Sequence, residues 1–276
     1  MSSLSDAQQH PDLKKFEAFV FDLDGCIYVG KRIIHGALEV IERLKQLDKK
    51  ILFATNNATK TPEEFASKLR SFGIKASSND VFTSATATAM YLLKEFGRCK
   101  VYPVGGKGLT NELRKQGHRV VGLGNVDKAD TVVVCLDLQF SYKKLHAASN
   151  AILAGRRFIA TNVDPVVPVE NGFMPGAGSI VSALITATNR EPYVVGKPSN
   201  SMFDMIFRKL GVSSSKTVIV GDRLDTDIRG GNSSGAFTIL VLSGATTTET
   251  LDRTSDLGLK PRLTIHDIDH MLSLLA

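Results

Sequence analysis

Cysteine is scarce in this 276-residue chain: Cys26, Cys99 and Cys135 are an odd number with no C-x-x-C spacing. That usage argues against a disulfide framework and a cysteine-built zinc site, and it fits a reducing compartment. The six histidines read as structural or surface residues. Like charges do not cluster either. The longest basic runs are pairs (Lys14-Lys15, Lys49-Lys50, Lys143-Lys144, Arg156-Arg157), so the net charge of +6 forms no nucleic-acid stripe. It is spread as a solvated face, one that also suits a small anionic substrate. No apolar run approaches membrane length, and the first fifteen residues, which carry Asp6 and Asp12, hold neither a signal core nor an arginine-rich amphipathic helix. A cytoplasmic protein with a frayed N-terminus, binding neither nucleic acid nor membrane, is the expectation. No internal repeat or low-complexity segment is evident.

What is present begins with Phe19 to Gly25, an apolar strand running into Asp22 and Asp24 with a glycine behind them. Aspartate is a poor strand former and costly to desolvate unless paired or bound to a cation, so two at a strand end point to a metal. Leu38, Ile41, Leu44 and Leu47 then recur at helical spacing, and Ile51 to Ala54 form a second strand ending in Thr55-Asn56-Asn57, which completes a βαβ unit. Thr61-Pro62-Glu63-Glu64 supplies an N-cap, a first-turn proline and a capping-box glutamate, and Gly73 closes that helix.

The alternation resumes near the C-terminus. Tyr193 to Val195, Thr217 to Val220 and Phe237 to Leu242 read as strands, separated by helices over Met202 to Leu210 and Asp227 to Ser234. The expected fold is α/β, a doubly wound, Rossmann-like parallel sheet whose ligands sit beyond the carboxyl ends of the strands. Asp22, Thr55, Lys197 and Asp222 each follow an apolar strand at that end. The stretch between Thr55 and Lys197 is far longer than a crossover needs and carries its own strands at Lys100 to Val104, Thr131 to Leu136 and Arg157 to Ala160. An inserted α/β domain at residues 85–190 is therefore expected, within a core made of 1–84 and 191–276.

These residues suit phosphate ester chemistry, where enzymes supply accelerations of up to about 10²¹-fold and several groups must act together. Asp22 is placed to attack phosphorus as a carboxylate nucleophile, and Asp24, two residues on along an extended segment, to serve as acid and base. Carboxylates and a phosphate dianion repel, so a hard cation is required; Mg²⁺ fits, with Asp222 as a further ligand. Asp227, in the run Gly221-Asp222-Arg223-Leu224-Asp225-Thr226-Asp227, is placed to hold a metal-bound water or a lysine. The Thr55 hydroxyl, the amides around Asn56 and the Lys197 charge are suited to phosphate oxygens.

Four ordered segments, Asp22-Leu23-Asp24-Gly25, Thr55-Asn56-Asn57, Gly196-Lys197-Pro198 and Gly221 to Asp227, resemble the motifs of the haloacid dehalogenase superfamily. The insert resembles the C2-type cap of its 4-nitrophenylphosphatase, phosphoglycolate phosphatase and pyridoxal phosphatase branch. The resemblance implies Asp22 as nucleophile and ligand, Asp24 as acid/base binding Mg²⁺ through its carbonyl, and Asp222 as carboxylate ligand. It further implies Thr55, Asn56 and Lys197 at the phosphate, Asn57 in a supporting role, and pairing of two copies through the cap. Thr161 to Pro168 resembles the family's substrate-facing loop. Pyridoxal phosphatases carry a histidine about where Val167 stands, whereas Glu170-Asn171-Gly172 and Pro175-Gly176-Ala177-Gly178 look closer to phosphoglycolate phosphatases. The implied activity is hydrolysis of small-metabolite phosphate monoesters, 2-phosphoglycolate-like or aryl such as 4-nitrophenyl phosphate, through an aspartyl phosphate.

Plainer readings compete with each feature. Asp-x-Asp-Gly alone is more often a loop cap. Gly105-Gly106-Lys107-Gly108 hints at a phosphate nest but lacks P-loop spacing, and a tight strand-to-helix turn is the better account. Pro175 to Ser179 reads as a helix entry, and Cys26 as a small packed apolar residue rather than a redox thiol. A pyridoxal phosphate phosphatase, a non-catalytic phosphometabolite sensor and a phosphotransferase remain as alternatives; intact Asp22 and Asp24 favour an enzyme.

Overall fold

The computed structural model describes residues 11–169 and 172–276. The expectations placed on residues 1–10 and on Glu170 and Asn171 lie outside the described residues. Six parallel strands form the larger sheet in the order Leu263–Ile265, Phe237–Val241, Thr217–Gly221, Ala18–Phe21, Lys50–Thr55, Val81–Thr83. Ala18–Phe21 lies in the middle, so all four of its residues are buried. Alternation sends Phe19 and Phe21 to one face, with Val218, Val220 and Ile239. Val20 goes to the other, with Leu52, Phe82, Phe203 and Ile219. A central parallel strand covered on both faces has to be apolar throughout, hence the Ala-Phe-Val-Phe run.

Register then places the polar residues. Phe21 stands opposite both Val220 and Phe53, so three neighbouring strands end level, and Asp22, Thr55 and Asp222 emerge on the same edge. Helices flank the sheet where periodicity predicts them. In Ala37–Gln46 the buried stripe is Ala37, Val40, Ile41 and Leu44. Pro62–Ser71 begins with the expected capping box: the Glu64 N–H donates to Thr61 Oγ1 at 3.2 Å and the Thr61 N–H to Glu64 Oε2 at 2.9 Å.

Five further parallel strands form a second sheet in the order Tyr193–Val194, Arg157–Ala160, Thr131–Val134, Lys100–Val104, Arg119–Val120. Periodicity alone groups Tyr193 to Val195 with the C-terminal strands of the larger sheet. The structure instead pairs Tyr193 with Ile159 and Val194 with Ala160, because a strand–helix alternation does not say which of two sheets a strand joins. A hairpin, Val166–Val169 with Gly172–Pro175, projects from this part of the chain. Among the described residues, no helix is long and apolar enough to cross a membrane.

The Gly105 to Gly108 segment is the expected strand-to-helix turn, and it is also where the two parts of the fold meet. A Cβ on Gly108 would lie 2.4 Å from the Ala58 carbonyl oxygen and 2.7 Å from Lys60 backbone atoms, so only glycine allows this approach. Beside it Lys107 Nζ pairs with Glu64 Oε1 at 2.5 Å. That contact first, and the Thr61 backbone N–H after it, lower the Glu64 carboxyl from 4.5 to about 2. A carboxyl whose folded value is depressed stabilises the fold above its unfolded value and loses that contribution as pH falls through the folded one. Glu64→Gln is therefore expected to be less stable than the parent in urea denaturation at pH 7, with the gap narrowing below pH 4.5 and closing near pH 2.

Candidate active site

At the level edge of the larger sheet, Asp22, Asp24, Thr55, Asn56, Asn57, Lys197 and Asp222 line one cavity of about 80 Å³. Asp164, Val166 and Val167 of the insert form its opposite wall. All seven were expected from the sequence, and one fold edge gathers them.

Lys197 is the hub. Its side chain is 3% exposed, and its ammonium donates to Asp22 Oδ1 at 2.5 Å, Asp227 Oδ1 at 2.7 Å and the Ala54 carbonyl at 3.0 Å. Three donors thus meet three acceptors, the full capacity of an ammonium. Burial opposes the charge on Lys197, but the two carboxylates outweigh it and hold its pKa above that of ordinary lysine.

Asp227 reaches Lys197 through an irregular turn. The sequence predicts a regular helix from Asp227 to Ser234; instead a π-helical turn spans Leu224–Ile228 and the α-helix is Arg229–Ser233. The Asp227 and Ile228 N–H groups both donate to the Arg223 carbonyl at 3.2 Å. The wider turn brings Asp227 back over Gly221, where a Cβ would sit 2.3 Å from the Asp227 carboxyl carbon.

Asp222 is held by a loop that carried no signal in the sequence. Its Oδ2 accepts the Ala245 N–H at 2.6 Å, and Gly244 and Gly25 crowd the same carboxylate: a Cβ would fall 2.1 and 2.3 Å from Oδ2. Gly25 also has φ +87°, which is why glycine closes the first motif. The other oxygen, Asp222 Oδ1, is buried without a hydrogen-bond partner. Carboxylate atoms of Asp22, Asp222 and Asp227 lie within 4.8 Å of one another. Three buried carboxylates face one ammonium. Burial first, and then Asp227, raise Asp222 to about 7, and burial pushes Asp22 well above the ordinary carboxylate value against the pull of Lys197. An orphaned buried oxygen amid surplus negative charge is a site fitted to a divalent cation.

Asp24 lies outside that carboxylate cluster. Burial raises its carboxyl, with Lys68 and Lys60 pulling it down. Lys68 itself stacks its ammonium over the Tyr28 ring, 3.3 Å from the centroid.

The second motif divides its labour. Thr55 Oγ1 accepts the Asn57 N–H at 3.0 Å, which leaves its proton for the cavity. Asn57 Oδ1 accepts both the N–H and the hydroxyl of Thr59, at 3.0 and 2.6 Å, and so orders the loop. The Asn56 side chain ties this loop to two other segments. Its Oδ1 accepts the Lys197 N–H at 2.9 Å, and its Nδ2 donates to the Lys197 carbonyl at 3.0 Å and to Asp164 Oδ1 at 3.2 Å. Sequence reasoning also missed Arg223, tied to Asp225 by two hydrogen bonds at 3.1 and 2.8 Å, because nothing local marks it as facing the cavity.

A strand-end carboxylate pair beside a buried lysine and a cation-ready aspartate is a hydrolase site on an α/β frame. Residues 19–119 match a family model described as haloacid dehalogenase-like hydrolase, and residues 194–271 a HAD-hydrolase-like one. An acid sugar phosphatase from Staphylococcus saprophyticus is 38% identical over 260 residues, covering 94% of this chain and 98% of that protein. The 4-nitrophenylphosphatase of Thermotoga maritima superposes with a TM-score of 0.90 at 34% identity, covering 97% of this chain and 100% of that one. A glycerol phosphate phosphatase from Mycobacterium tuberculosis, solved in complex with magnesium, does so at 0.87 and 34%, covering 96% and 78%. The chain belongs to the haloacid dehalogenase superfamily, in its capped phosphatase branch. It is a phosphoric monoester hydrolase.

Lys197→Met strands Asp22 and Asp227 in a buried site. Loss of one partner from such a cluster costs about 3–5 kcal/mol. Urea denaturation in EDTA is expected to show that loss for Lys197→Met.

Proposed function

We propose that this protein is a Mg²⁺-dependent phosphatase of small-metabolite and aryl phosphate monoesters, working through an aspartyl-phosphate intermediate on Asp22. The observation that carries this reading is the convergence of Asp22, Asp24, Thr55, Lys197 and Asp222 on one cavity. The cavity's small volume favours a phosphoryl group on a compact leaving group over a phosphoprotein. The names of its relatives, for acid sugar, 4-nitrophenyl and glycerol phosphates, support the same range.

In the proposed reaction the Asp22 carboxylate attacks phosphorus while the Thr55 hydroxyl donates to a phosphoryl oxygen and the charge of Lys197, held against Asp22 Oδ1, offsets the negative charge gathered there. Asp24, its carboxyl raised by burial, gives its proton to the departing alkoxide as the P–O bond breaks. Water then enters, Asp24 takes its proton, and attack on the phosphorus of the aspartyl phosphate frees inorganic phosphate and restores Asp22. Asp22, Asp222 and the Asp24 backbone would hold Mg²⁺, which supplies charge neutralisation between nucleophile and phosphate. Asp227 keeps Lys197 aimed at Asp22. The loop from Thr161 to Val167 would face the leaving group, with Val166 and Val167 offering it apolar surface.

With Mg²⁺ and 4-nitrophenyl phosphate, the parent protein is expected to release nitrophenolate and EDTA to abolish the release. Asp22→Asn should lose activity by about 10³-fold or more, as removal of a covalent nucleophile does. Absence of metal-dependent turnover in the parent would refute the proposal. A panel including glycerol phosphate, 2-phosphoglycolate and pyridoxal phosphate, ranked by kcat/KM, identifies the preferred leaving group.

A further inference from the structure

Asn56 joins three segments distant in the sequence. Its side chain brackets Lys197 on both sides of the peptide chain, accepting the Lys197 N–H and donating to the Lys197 carbonyl. Its own carbonyl accepts from Ser84 Oγ at 2.6 Å and from Asn162 Nδ2 at 2.7 Å. The remaining Nδ2 hydrogen goes to Asp164 Oδ1, which belongs to the loop opposite the catalytic edge.

Asp164 is itself held in place. Its N–H donates to Asn162 Oδ1 at 3.1 Å, and its carbonyl oxygen accepts the Gly178 N–H at 2.9 Å. Gly196 lets the three segments close up: a Cβ there would lie 2.2 Å from the Thr161 carbonyl oxygen and 2.6 Å from Asn56 Oδ1. The two contacts engage the two peptide groups that flank the Lys197 Cα, and the third, to Asp164, ties that same carboxamide to a different segment of the chain.

Resting on the phosphatase reading for its catalytic consequence, we propose that Asp164 is a positioning residue: by anchoring Asn56 it fixes the backbone of Lys197, so that seating of the cap loop sets the aim of the catalytic ammonium. Asp164 acts through Asn56, and its hydrogen-bond acceptor, rather than its charge, is what the site uses. An asparagine at 164 retains an Oδ1 able to accept the same hydrogen; an alanine does not.

The test compares the parent with Asp164→Ala, Asp164→Asn, Asn56→Ala and the double variant Asn56→Ala/Asp164→Ala. Two readouts are needed: 4-nitrophenyl phosphate kinetics with Mg²⁺, and hydrogen exchange of the Lys197 amide by NMR, which needs no activity. Asp164→Ala is expected to lower kcat by about tenfold, the size of one lost hydrogen bond, with KM changed less than threefold. It should also speed Lys197 amide exchange by a similar factor. Asp164→Asn should restore both to within about threefold of the parent, and the double variant should be no worse than Asn56→Ala alone. The inference is overturned if Asp164→Asn is as impaired as Asp164→Ala, if the two losses multiply in the double variant, or if Lys197 exchange is unmoved. Inactivity of the parent would instead overturn the phosphatase reading, and the exchange data would still decide the anchoring.

Discussion

One buried ammonium holds the catalytic edge together. Lys197 neutralises one carboxylate at a strand end and another on the π-helical turn, and without it Asp22 and Asp227 would repel one another in a place where water does not screen them. Even with it the balance is incomplete, since Asp222 adds a third buried carboxylate whose Oδ1 has no partner. The buried cluster thus carries more carboxylates than the one ammonium can balance. Burial alone favours neutralising these acids by protonation, and the charged lysine opposes that.

Holding a lysine at that spot takes an unusual amount of backbone. Asp227 gets there by a π-helical turn over a glycine, and Lys197 gets there on a chain segment that leaves the smaller sheet at Val194 and is bracketed by Asn56. Close approach at glycines helps to hold this region: Gly25 and Gly244 stand against Asp222, Gly196 against Asn56, and Gly108 against Ala58. A side chain at any of them would push the facing groups apart. Rigid packing of this kind costs nothing at the moment of reaction, which is the advantage of preorganised charge over solvent.

The insert is fastened to the core at the catalytic edge and beside it. Asn162 and Asp164 meet Asn56, and Lys107 and Gly108 meet the segment from Ala58 to Glu64. The insert and the loop after Thr55 therefore share hydrogen bonds rather than only facing each other across solvent. Placement of the cavity wall formed by the insert and placement of Lys197 are consequently parts of one structure.

Local physics explains how much was legible in the chain. A fully apolar Ala18–Phe21 segment followed by two aspartates, helical periodicity at Leu38, Ile41, Leu44 and Leu47, and a complete capping box at Thr61 all follow from neighbours a few residues apart. Such patterns identify the parallel sheet, its functional edge and the residues Asp22, Asp24, Thr55, Lys197 and Asp222 gathered on it. Contacts between distant segments leave no periodic trace. Tertiary structure alone decided that Tyr193–Val194 joins the smaller sheet, that Asp227 lies on a π turn under Lys197, and that Ala245 holds Asp222. It also tied the Asn56 side chain to Lys197 and Asp164, because a carboxamide binds whichever partners the fold brings within reach.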